Sequence, residues 1–357
     1  MVLVLVVAGT ACESNGRGLS DAPSGTIPER QVRFELEPDR FFGWEELTES
    51  PRELTIEEEK AGGGVLSRPI SIAEGGDSSL FVLDADFQKV AVFSWDGGFK
   101  RVVLGGYGEG PGEFVSPYDI DLDESGRLFA FDGHNNRVSI FSESGLFSTS
   151  FNADTHNTVE MKAEGGEVFI HRYFPPRTRG YFVQTFSEDG TFEGEFARAT
   201  AQDADLQFHG ARGSLGKGRN GEILFAYPAP STWTTSSRPQ ERIGVAFHPD
   251  ARGEQVSENG FDLVVTRVGT RGIAQLPDGR IVISWFIRPT REVPRSYYLD
   301  VMTSEGQYLG SYEFPDSVLP GRMISSRFGP YLYFTSHGGL IPGVWRFRLV
   351  RKTGEAK

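Results

Sequence analysis

The sequence predicts an all-β fold in which a four-stranded unit is repeated six times and closed into a ring. In the stretch Leu128–Ser142, apolar residues alternate with other residues both before and after the polar turn Asp132–Asn136. This is the pattern of two strands joined by a turn. This pattern restarts at spacings of roughly 40 to 58 residues, the range of β-propeller blades. The 44 glycines and 28 phenylalanines are typical of short strands with tight turns.

Length and charge limit the classes of function. The 357 residues are enough for a large core, and repeats can hold that length in a single domain. The formal net charge of −13 argues against general nucleic-acid binding, because a nucleic acid would be repelled. After the first dozen residues no segment is long and apolar enough to cross a membrane.

The amino terminus predicts export. Residues 1–11 (MVLVLVVAGTA) are apolar and end in small residues before Cys12, the single cysteine, so no intramolecular disulfide can form. This indicates a lipoprotein signal segment over residues 1–12, with Cys12 acylated after cleavage, and a flexible tether over residues 13–30. An ordinary secretory peptide or a buried amino-terminal strand would also fit. We expect a cell-envelope protein, periplasmic or on the outer surface, that meets a membrane only through its lipid anchor.

One strand precedes the repeats. Residues 31–37 alternate cleanly and predict a strand, whereas residues 38–64 are charged and irregular. The first turn and second strand of the six units are residues 76–82, 125–130, 165–170, 220–225, 278–283 and 329–334. A second turn is predicted at residues 94–97, 142–145, 187–190, 248–250 and 304–306.

The sixth unit ends early, after its third strand at residues 344–350, although a propeller blade has four strands. The strand at residues 31–37 can supply the missing one, and closure removes exposed sheet edges. We therefore predict a six-bladed β-propeller over residues 31–352, closed by pairing an N-terminal strand with the last blade, with a tail at residues 353–357. A sandwich or an open solenoid explains neither the lone early strand nor the short last unit.

Two segments resemble NHL repeats. Residues 84–94 (DADFQKVAVFS) and 132–142 (DGHNNRVSIFS) each have an Asp, a short polar turn, Lys or Arg, Val and an apolar strand ending in Phe; residues 108–114 (GEGPGEF) resemble the linker before such blades. The resemblance covers the first two units and implies a six-bladed propeller, of a kind that is often exported or lipid-anchored in bacteria. It supports the fold more than one function, because this fold hosts binding, lactone hydrolysis and lyase chemistry.

Propeller geometry sorts the charged residues onto two faces. The turns between strands one and two and between strands three and four share one face, here called the acidic-turn face because those turns are rich in Asp and Glu. The loops between strands two and three and the blade connections share the opposite, top face. Arginines and aromatic residues map to the top face and suit an anionic glycan, peptide or protein surface. The expected ligand-binding residues are Arg68, Tyr118, Arg212, Arg271, Arg322, Trp233 and Arg288.

A structural role for these charges is the competing interpretation. Asp often caps glycine turns, Arg is common on loops, and Asp119 and Glu160 are close enough in the predicted ring to neutralise arginines at its rim. A ring that only assembles partner proteins is a further alternative, and it predicts no pocket for a small ligand.

A metal-dependent lyase or hydrolase is the alternative of another class. His134, His171, His209 and His337 map to the top face, and three converging imidazoles can bind zinc; we take His134, His209 and His337 as the candidate set. The arrangement resembles peptidylamidoglycolate lyases, which implies zinc at the channel mouth. A lactonase would instead need calcium, and its candidate ligands are Asp119, Asn157, Glu160 and Asn220. Since a histidine on a loop is more often simply exposed, the main expectation is a non-catalytic binding protein without a cofactor.

Overall fold

Six antiparallel four-stranded sheets surround a common axis. The computed structural model describes residues 34–43, 64–152, 158–172, 180–200, 203, 212–228, 232–244, 254–258, 261–265, 268–287, 295–315, 319–336 and 342–352. The innermost strand of each sheet contacts the innermost strands of the two neighbouring sheets, and the last sheet in sequence contacts the first. The fold is therefore the predicted six-bladed β-propeller.

Each blade runs outward from the axis. Blade one contains β2 (Pro69–Glu74), β3 (Leu80–Asp84), β4 (Lys89–Phe93) and β5 (Phe99–Gly105). Blade two contains β6 (Pro117–Leu122), β7 (Leu128–Asp132), β8 (Arg137–Phe141) and β9 (Phe147–Phe151). Blade three contains β10 (Thr158–Glu164), β11 (Glu167–Arg172), β12 (Tyr181–Ser187) and β13 (Phe192–Arg198).

Blades four to six follow the same plan. Blade four contains β14 (Ser214–Lys217), β15 (Ile223–Ala226), β16 (Thr232–Thr235) and β17 (Arg238–Gly244). A two-stranded hairpin of β18 (Glu254–Glu258) and β19 (Phe261–Val265) comes next in the sequence. Blade five contains β20 (Val268–Gln275), β21 (Ile281–Ile287), β22 (Ser296–Met302) and β23 (Tyr308–Glu313). Blade six contains β24 (Met323–Ser325), β25 (Tyr331–Ser336), β26 (Gly343–Arg351) and, outermost, β1 (Phe34–Phe42).

The core consists of apolar layers between neighbouring blades. Alternate residues of one strand face opposite neighbours: Leu128 and Ala130 pack toward blade one, whereas Phe129 and Phe131 pack toward blade three. This is why β3, β4 and β7 are buried along their whole length. The alternation in the sequence therefore separates two buried faces rather than one buried and one solvated face.

Closure of the ring uses both ends of the described chain. Strand β1 pairs antiparallel with β26, from Phe34 opposite Arg351 to Phe42 opposite Val344. The predicted pairing is confirmed, but the predicted end of the strand at residue 37 is wrong, because β1 continues to Phe42. The register shifts between Pro38 and Arg40. An outer strand tolerates proline because its outward side has no ladder partner.

A buried arginine fixes this closure. Arg346 of β26 is 3% exposed and donates to Asp39 of β1 (Nε to Oδ2, 2.5 Å) and to the carbonyl oxygen of Trp95 (Nη1, 2.8 Å). Its guanidinium carbon lies 3.9 Å from the centre of the Trp95 ring, which belongs to blade one. One side chain therefore ties the outer strand, the last blade and the first blade together.

The repeated aspartate of the first two units has a structural role. Asp84 accepts hydrogen bonds from the amides of Ser67, Arg68, Asp86 and Phe87. Asp132 accepts the equivalent bonds from the amides of Val115, Ser116, His134 and Asn135. Each carboxylate joins the loop between strands two and three to the segment that enters its blade, so this motif organises the backbone.

The second turn of blade four differs from the prediction. Strands β16 and β17 are joined at Ser236 and Ser237, so the predicted turn at residues 248–250 is wrong. Residues 248–250 come after β17 in the sequence and are outside the described residues. Among the described residues, no helix has the length and apolar character needed to cross a membrane.

Candidate functional site

Buried charged side chains line the central channel. The inner strand β10 places Glu160 and Lys162 on its channel side, because Met161 and Ala163 between them belong to the core. Arg322 lies just before β24, and its Nη1 is 2.5 Å from Oδ2 of Asp119 on β6. Its Nη2 is 3.7 Å from Oε1 of Glu160. Residues far apart in sequence thus form one buried ion cluster on the axis.

The carboxylates of this cluster also join neighbouring inner strands. Asp119 accepts a hydrogen bond from the Met161 amide of the next blade at 2.7 Å and another from the Ser71 hydroxyl of the previous blade. Glu160 accepts from the amide of Leu215 and from the Ser214 hydroxyl on blade four. Asp121 accepts from the Ala163 amide at 2.8 Å. Because these amides lie on inner strands, each bond fixes the position of one blade against the next.

The pKa values of the two acids of the cluster are shifted in opposite directions. Burial alone would raise the pKa of Asp119, but Arg322 and Lys162, with the bonds from Ser71 and the Met161 amide, hold that pKa below its usual value. Burial raises the pKa of Glu160, and the charge of Asp119 adds to that effect against the opposing influence of Arg322. Asp119 is therefore the main counter-ion of Arg322.

His171 lies beside this cluster in an apolar setting. Its side chain is fully buried, and its ring centre is 5.0 Å from that of Phe225 and 6.4 Å from that of Phe182. Its Nδ1 is 3.9 Å from Oε2 of Glu160, and neither ring nitrogen forms a hydrogen bond with a described residue. Burial, with the charges of Arg212 and Arg322, lowers the pKa of His171 to about 3. The imidazole is therefore neutral near pH 7.

A cavity of about 340 Å³ opens at the acidic-turn end of the channel. Its floor includes the buried side chain of Lys162, and exposed Glu124, Arg219 and Arg327 lie at its mouth. Lys217 bridges two of its carboxylates, with Nζ 2.9 Å from Asp121 and 2.9 Å from Glu164. This volume is within the range of small-molecule sites.

Glu74 closes another side of the cavity. Its carboxylate accepts bonds from the Ser326 hydroxyl (2.8 Å), the Arg327 amide (2.6 Å) and the Tyr333 hydroxyl (2.9 Å). Burial raises the pKa of Glu74 despite these three donors. Since its oxygen atoms are already hydrogen-bonded, Glu74 mainly joins blade one to blade six.

The predicted top-face arginines occupy different environments. Arg68 is half exposed and pairs with Asp86 at 2.6 Å, and Arg212 is exposed. Arg271 lies over the rings of Phe286 and Tyr297, at 4.8 Å and 5.5 Å from their centres. Arg322 is only 14% exposed and belongs to the ion cluster. The structure therefore does not gather all four into one equivalent ring.

The two aromatic residues predicted to bind ligand, Tyr118 and Trp233, also lie in different environments. Tyr118 is 45% exposed and packs against Phe131, with ring centres 6.0 Å apart. Trp233 is 1% exposed and packs in the core between blades four and five, so its expected place on a ligand-binding surface is wrong. Arg288 and Cys12 lie outside the described residues.

Of the three histidines proposed as zinc ligands, His134 is among the described residues. His134 is exposed in the turn after β7, whereas His209 and His337 lie outside the described residues. In the described ranges no three His, Cys, Asp or Glu side chains are grouped to hold a metal ion. Of the calcium candidates, Asp119 and Glu160 bond to amides and arginine, Asn220 is in an exposed turn of the acidic-turn face, and Asn157 is outside the described residues.

Many acids of the acidic-turn face cap their own turns. Asp77 accepts from the hydroxyl and amide of Ser79, and Asp189 accepts from the Ser187 hydroxyl and the Thr191 amide. The Ser79 hydroxyl bond lowers the pKa of Asp77 to about 2, and the Ser187 bond lowers that of Asp189 to about 2. These carboxylates therefore shape turns, as the structural interpretation expects.

Sequence reasoning missed the lysines of the channel. A usable signal is present in residues 158–164 (TVEMKAE), where charged residues alternate with apolar ones in a strand predicted to be innermost. In a propeller such a strand has no solvent face except the channel. Charges at every second position therefore indicate its lining.

Comparisons with known proteins support the same architecture. A family model described as a 6-bladed beta-propeller (DUF5128) matches residues 65–173. No curated protein matches the sequence. A DUF4221-family structure from Bacteroides vulgatus is 10% identical, with a TM-score of 0.58 over 91% of this chain and 100% of that chain. A candidate exported protein from Bacteroides fragilis is 10% identical, with a TM-score of 0.58 over 90% and 97%.

An enzyme shares the fold as well. The PQQ-bound aldose sugar dehydrogenase of Streptomyces coelicolor is 10% identical, with a TM-score of 0.51 over 90% of this chain and 100% of that chain. At this identity the similarity concerns the fold alone. The similarity therefore assigns no activity to this chain.

Proposed function

We propose that the protein is an exported, lipid-anchored propeller of the NHL-repeat-like type that binds an anionic glycan, peptide or protein surface through its top face without catalysis. The observation that carries the proposal is the position of Arg271. Its guanidinium lies over the partly buried ring of Phe286 and the buried ring of Tyr297, and these rings hold the positive charge in position. Arginine forks suit carboxylates and sulfates, and aromatic planes suit sugar rings.

Strand bulges support this use of the top face. The register of β20 shifts between Thr270 and Gly272, and that of β6 shifts between Pro117 and Asp119. The residues inside these bulges, Arg271 and Tyr118, leave the regular alternation and rest on aromatic rings of their own blades. Bulges of this kind redirect side chains, and we take Tyr118 of blade two and Arg271 of blade five as the recognition residues; the inner strands of blades one and three shift register at the equivalent place.

The direction of β1 supports the accessibility of the top face. Phe34 lies opposite Arg351, at the end of β26 that points away from the loop between β25 and β26. The first residue of β1, Phe34, therefore lies at the acidic-turn face. A tether from an acylated Cys12 would attach on that side, which leaves the top face directed away from the membrane.

The test compares binding of dextran sulfate with binding of unmodified dextran. We expect the full chain to bind dextran sulfate, with an affinity that falls as salt is added because charge carries the contact. Arg271→Glu is expected to weaken binding at least about tenfold, the loss of one charge-assisted contact. Arg101→Glu makes the same charge change on the exposed outer strand β5 and serves as the control.

Two results would overturn the proposal: equal binding of dextran and dextran sulfate, or equal losses in Arg271→Glu and Arg101→Glu when both variants keep the wild-type melting temperature. The metal-dependent lyase or hydrolase remains a prediction, since His209 and His337 lie outside the described residues. Stoichiometric zinc or calcium in the purified protein would favour it.

A further inference from the structure

Tyr118 presents an exposed aromatic ring at the top face. The residue is 45% exposed, although it belongs to the inner strand β6. Its ring packs against Phe131, with ring centres 6.0 Å apart and ring planes inclined at 34°. A Cβ atom added at Gly133 would lie 2.4 Å from Cε2 and 2.6 Å from Cδ2 of the ring, so the ring occupies the space that this glycine leaves open. The protein thus holds part of the ring in place and leaves the rest accessible to a ligand.

The turn that supports the ring is itself held by hydrogen bonds. The Gly133 amide donates to the carbonyl oxygen of Ser116 at 2.9 Å, which joins the turn to the segment that enters β6. Arg137, at the start of β8, donates through Nη1 to the carbonyl oxygen of Glu109 at 2.8 Å. That bond joins the turn to the connection from blade one. Tyr118 therefore has a fixed position, and a ligand that contacts it meets a preformed surface.

The exposed groups around this ring are polar. His134 is exposed and Asn135 is partly exposed on the supporting turn, and Ser116 is partly exposed beside it. The connection from blade one carries a second exposed aromatic residue, Tyr107, which is 72% exposed. Protein partners usually place their anchors in enclosed apolar pockets. A sugar ring instead has an apolar C–H face and a rim of hydroxyl groups, which match an accessible tyrosine among hydrogen-bonding groups.

We infer that the ligand of the top face is an anionic glycan, with one sugar ring stacked on Tyr118. This inference rests on the proposed function and selects one of its three ligand classes. Arg271 on blade five binds an acidic group of the same glycan. Blades two and five are opposite each other in the ring of six, so a ligand that reaches both residues is a chain that crosses the channel mouth.

The experiment measures binding of the full chain to dextran sulfate and to poly-L-glutamate, an anionic polymer without sugar rings. We expect tighter binding of dextran sulfate. Tyr118→Ala is expected to weaken dextran sulfate binding about three- to tenfold and to leave poly-L-glutamate binding unchanged. The factor should be the same at low and high salt, because the lost contact is uncharged. Arg271→Glu should instead weaken binding of both polymers and reduce its salt dependence.

Three variants serve as controls for the stacking contact. Tyr118→Phe keeps the ring and should bind dextran sulfate within about twofold of the wild type. Gly133→Ala keeps Tyr118 but displaces its ring, so it should reproduce part of the loss. Phe147→Ala removes an aromatic ring that is also 45% exposed, on the outer strand β9, and should bind as the wild type does.

Unchanged dextran sulfate binding in folded Tyr118→Ala overturns the inference, as does an equal loss in Phe147→Ala. If Tyr118→Ala does not fold, unchanged binding in Gly133→Ala overturns it. Poly-L-glutamate binding as tight as that of dextran sulfate assigns the face to a peptide or protein surface and also overturns it. A loss in Arg271→Glu without one in Tyr118→Ala overturns this inference alone, whereas equal binding of dextran and dextran sulfate overturns the proposed function.

Discussion

The buried imidazole of His171 makes the stability of the fold depend on pH in a calculable way. The folded state holds this ring against Phe225 and Phe182 without a hydrogen bond to a described residue, and its pKa is lowered to about 3. In the unfolded chain a histidine has a pKa of about 6.5. Between these two values the unfolded state carries one proton more than the folded state, so acid favours unfolding.

The size of the effect follows from the one-proton difference. The free energy of unfolding should fall by about 1.4 kcal/mol for each pH unit below 6.5 on account of His171. From pH 6.5 to pH 5 the loss is about 2 kcal/mol, a large part of the stability of an ordinary domain. Above pH 7 the contribution is constant, because His171 is then neutral in both states.

The assay is urea denaturation at several pH values between 7.5 and 5, on the wild type and on His171→Leu. Leucine has a similar volume and no proton to gain, so the variant should lose less stability than the wild type as the pH falls. The difference in slope should approach 1.4 kcal/mol per pH unit. Parallel slopes, or an imidazole proton resonance of His171 that titrates near pH 6.5, would refute the reasoning.

Two further predictions concern the ion cluster and the closure of the ring. Asp119→Ala should lower the free energy of unfolding by about 3–5 kcal/mol, because Arg322 would stay buried beside the more distant Glu160. The double variant Asp119→Ala/Arg322→Ala should lose less than the sum of the two single variants. Additive losses in denaturant titrations would show that the pair is not coupled. Phe42 is fully buried between Phe93 and Tyr333, so Phe42→Ala should lower the free energy of unfolding by about 3–5 kcal/mol. Glu37 is exposed on the same strand, and Glu37→Ala should change the free energy of unfolding by less than about 0.5 kcal/mol. Similar losses in both variants would contradict a role for β1 in the core.

The blades were predictable because their turns carry local signals. Turns such as residues 123–127 and 303–307 contain Asp or Glu and a glycine, and Gly126 and Gly306 adopt positive φ angles that favour glycine. The second turn of blade four lacks that signal, since Ser236 and Ser237 form it. The sequence therefore predicted the turn at residues 248–250, where the next Pro-Asp pair lies. Trp233 was misplaced for the same reason, because a four-residue strand beside prolines resembles a loop.

The channel was harder to predict because its contacts depend on the closed ring. Asp119, Glu160 and Arg322 come from three blades, and no sequence spacing states which of them meet. The predicted ring did suggest that Asp119 and Glu160 neutralise arginines at its rim. In the structure, Arg322 is the arginine that lies beside both carboxylates. The position of Lys162 beside Asp119 could not be anticipated, since it depends on distances of a few ångströms.

Closure by β1 also determines when folding can finish. Asp39 and Arg346 are 307 residues apart in the chain, and the bond between them forms only when the last blade is present. Blades one to five can each form from contiguous sequence, but the first strand must wait for the final one. During synthesis the growing chain is therefore an open ring with exposed sheet edges, and the ring closes only after the last blade has been made.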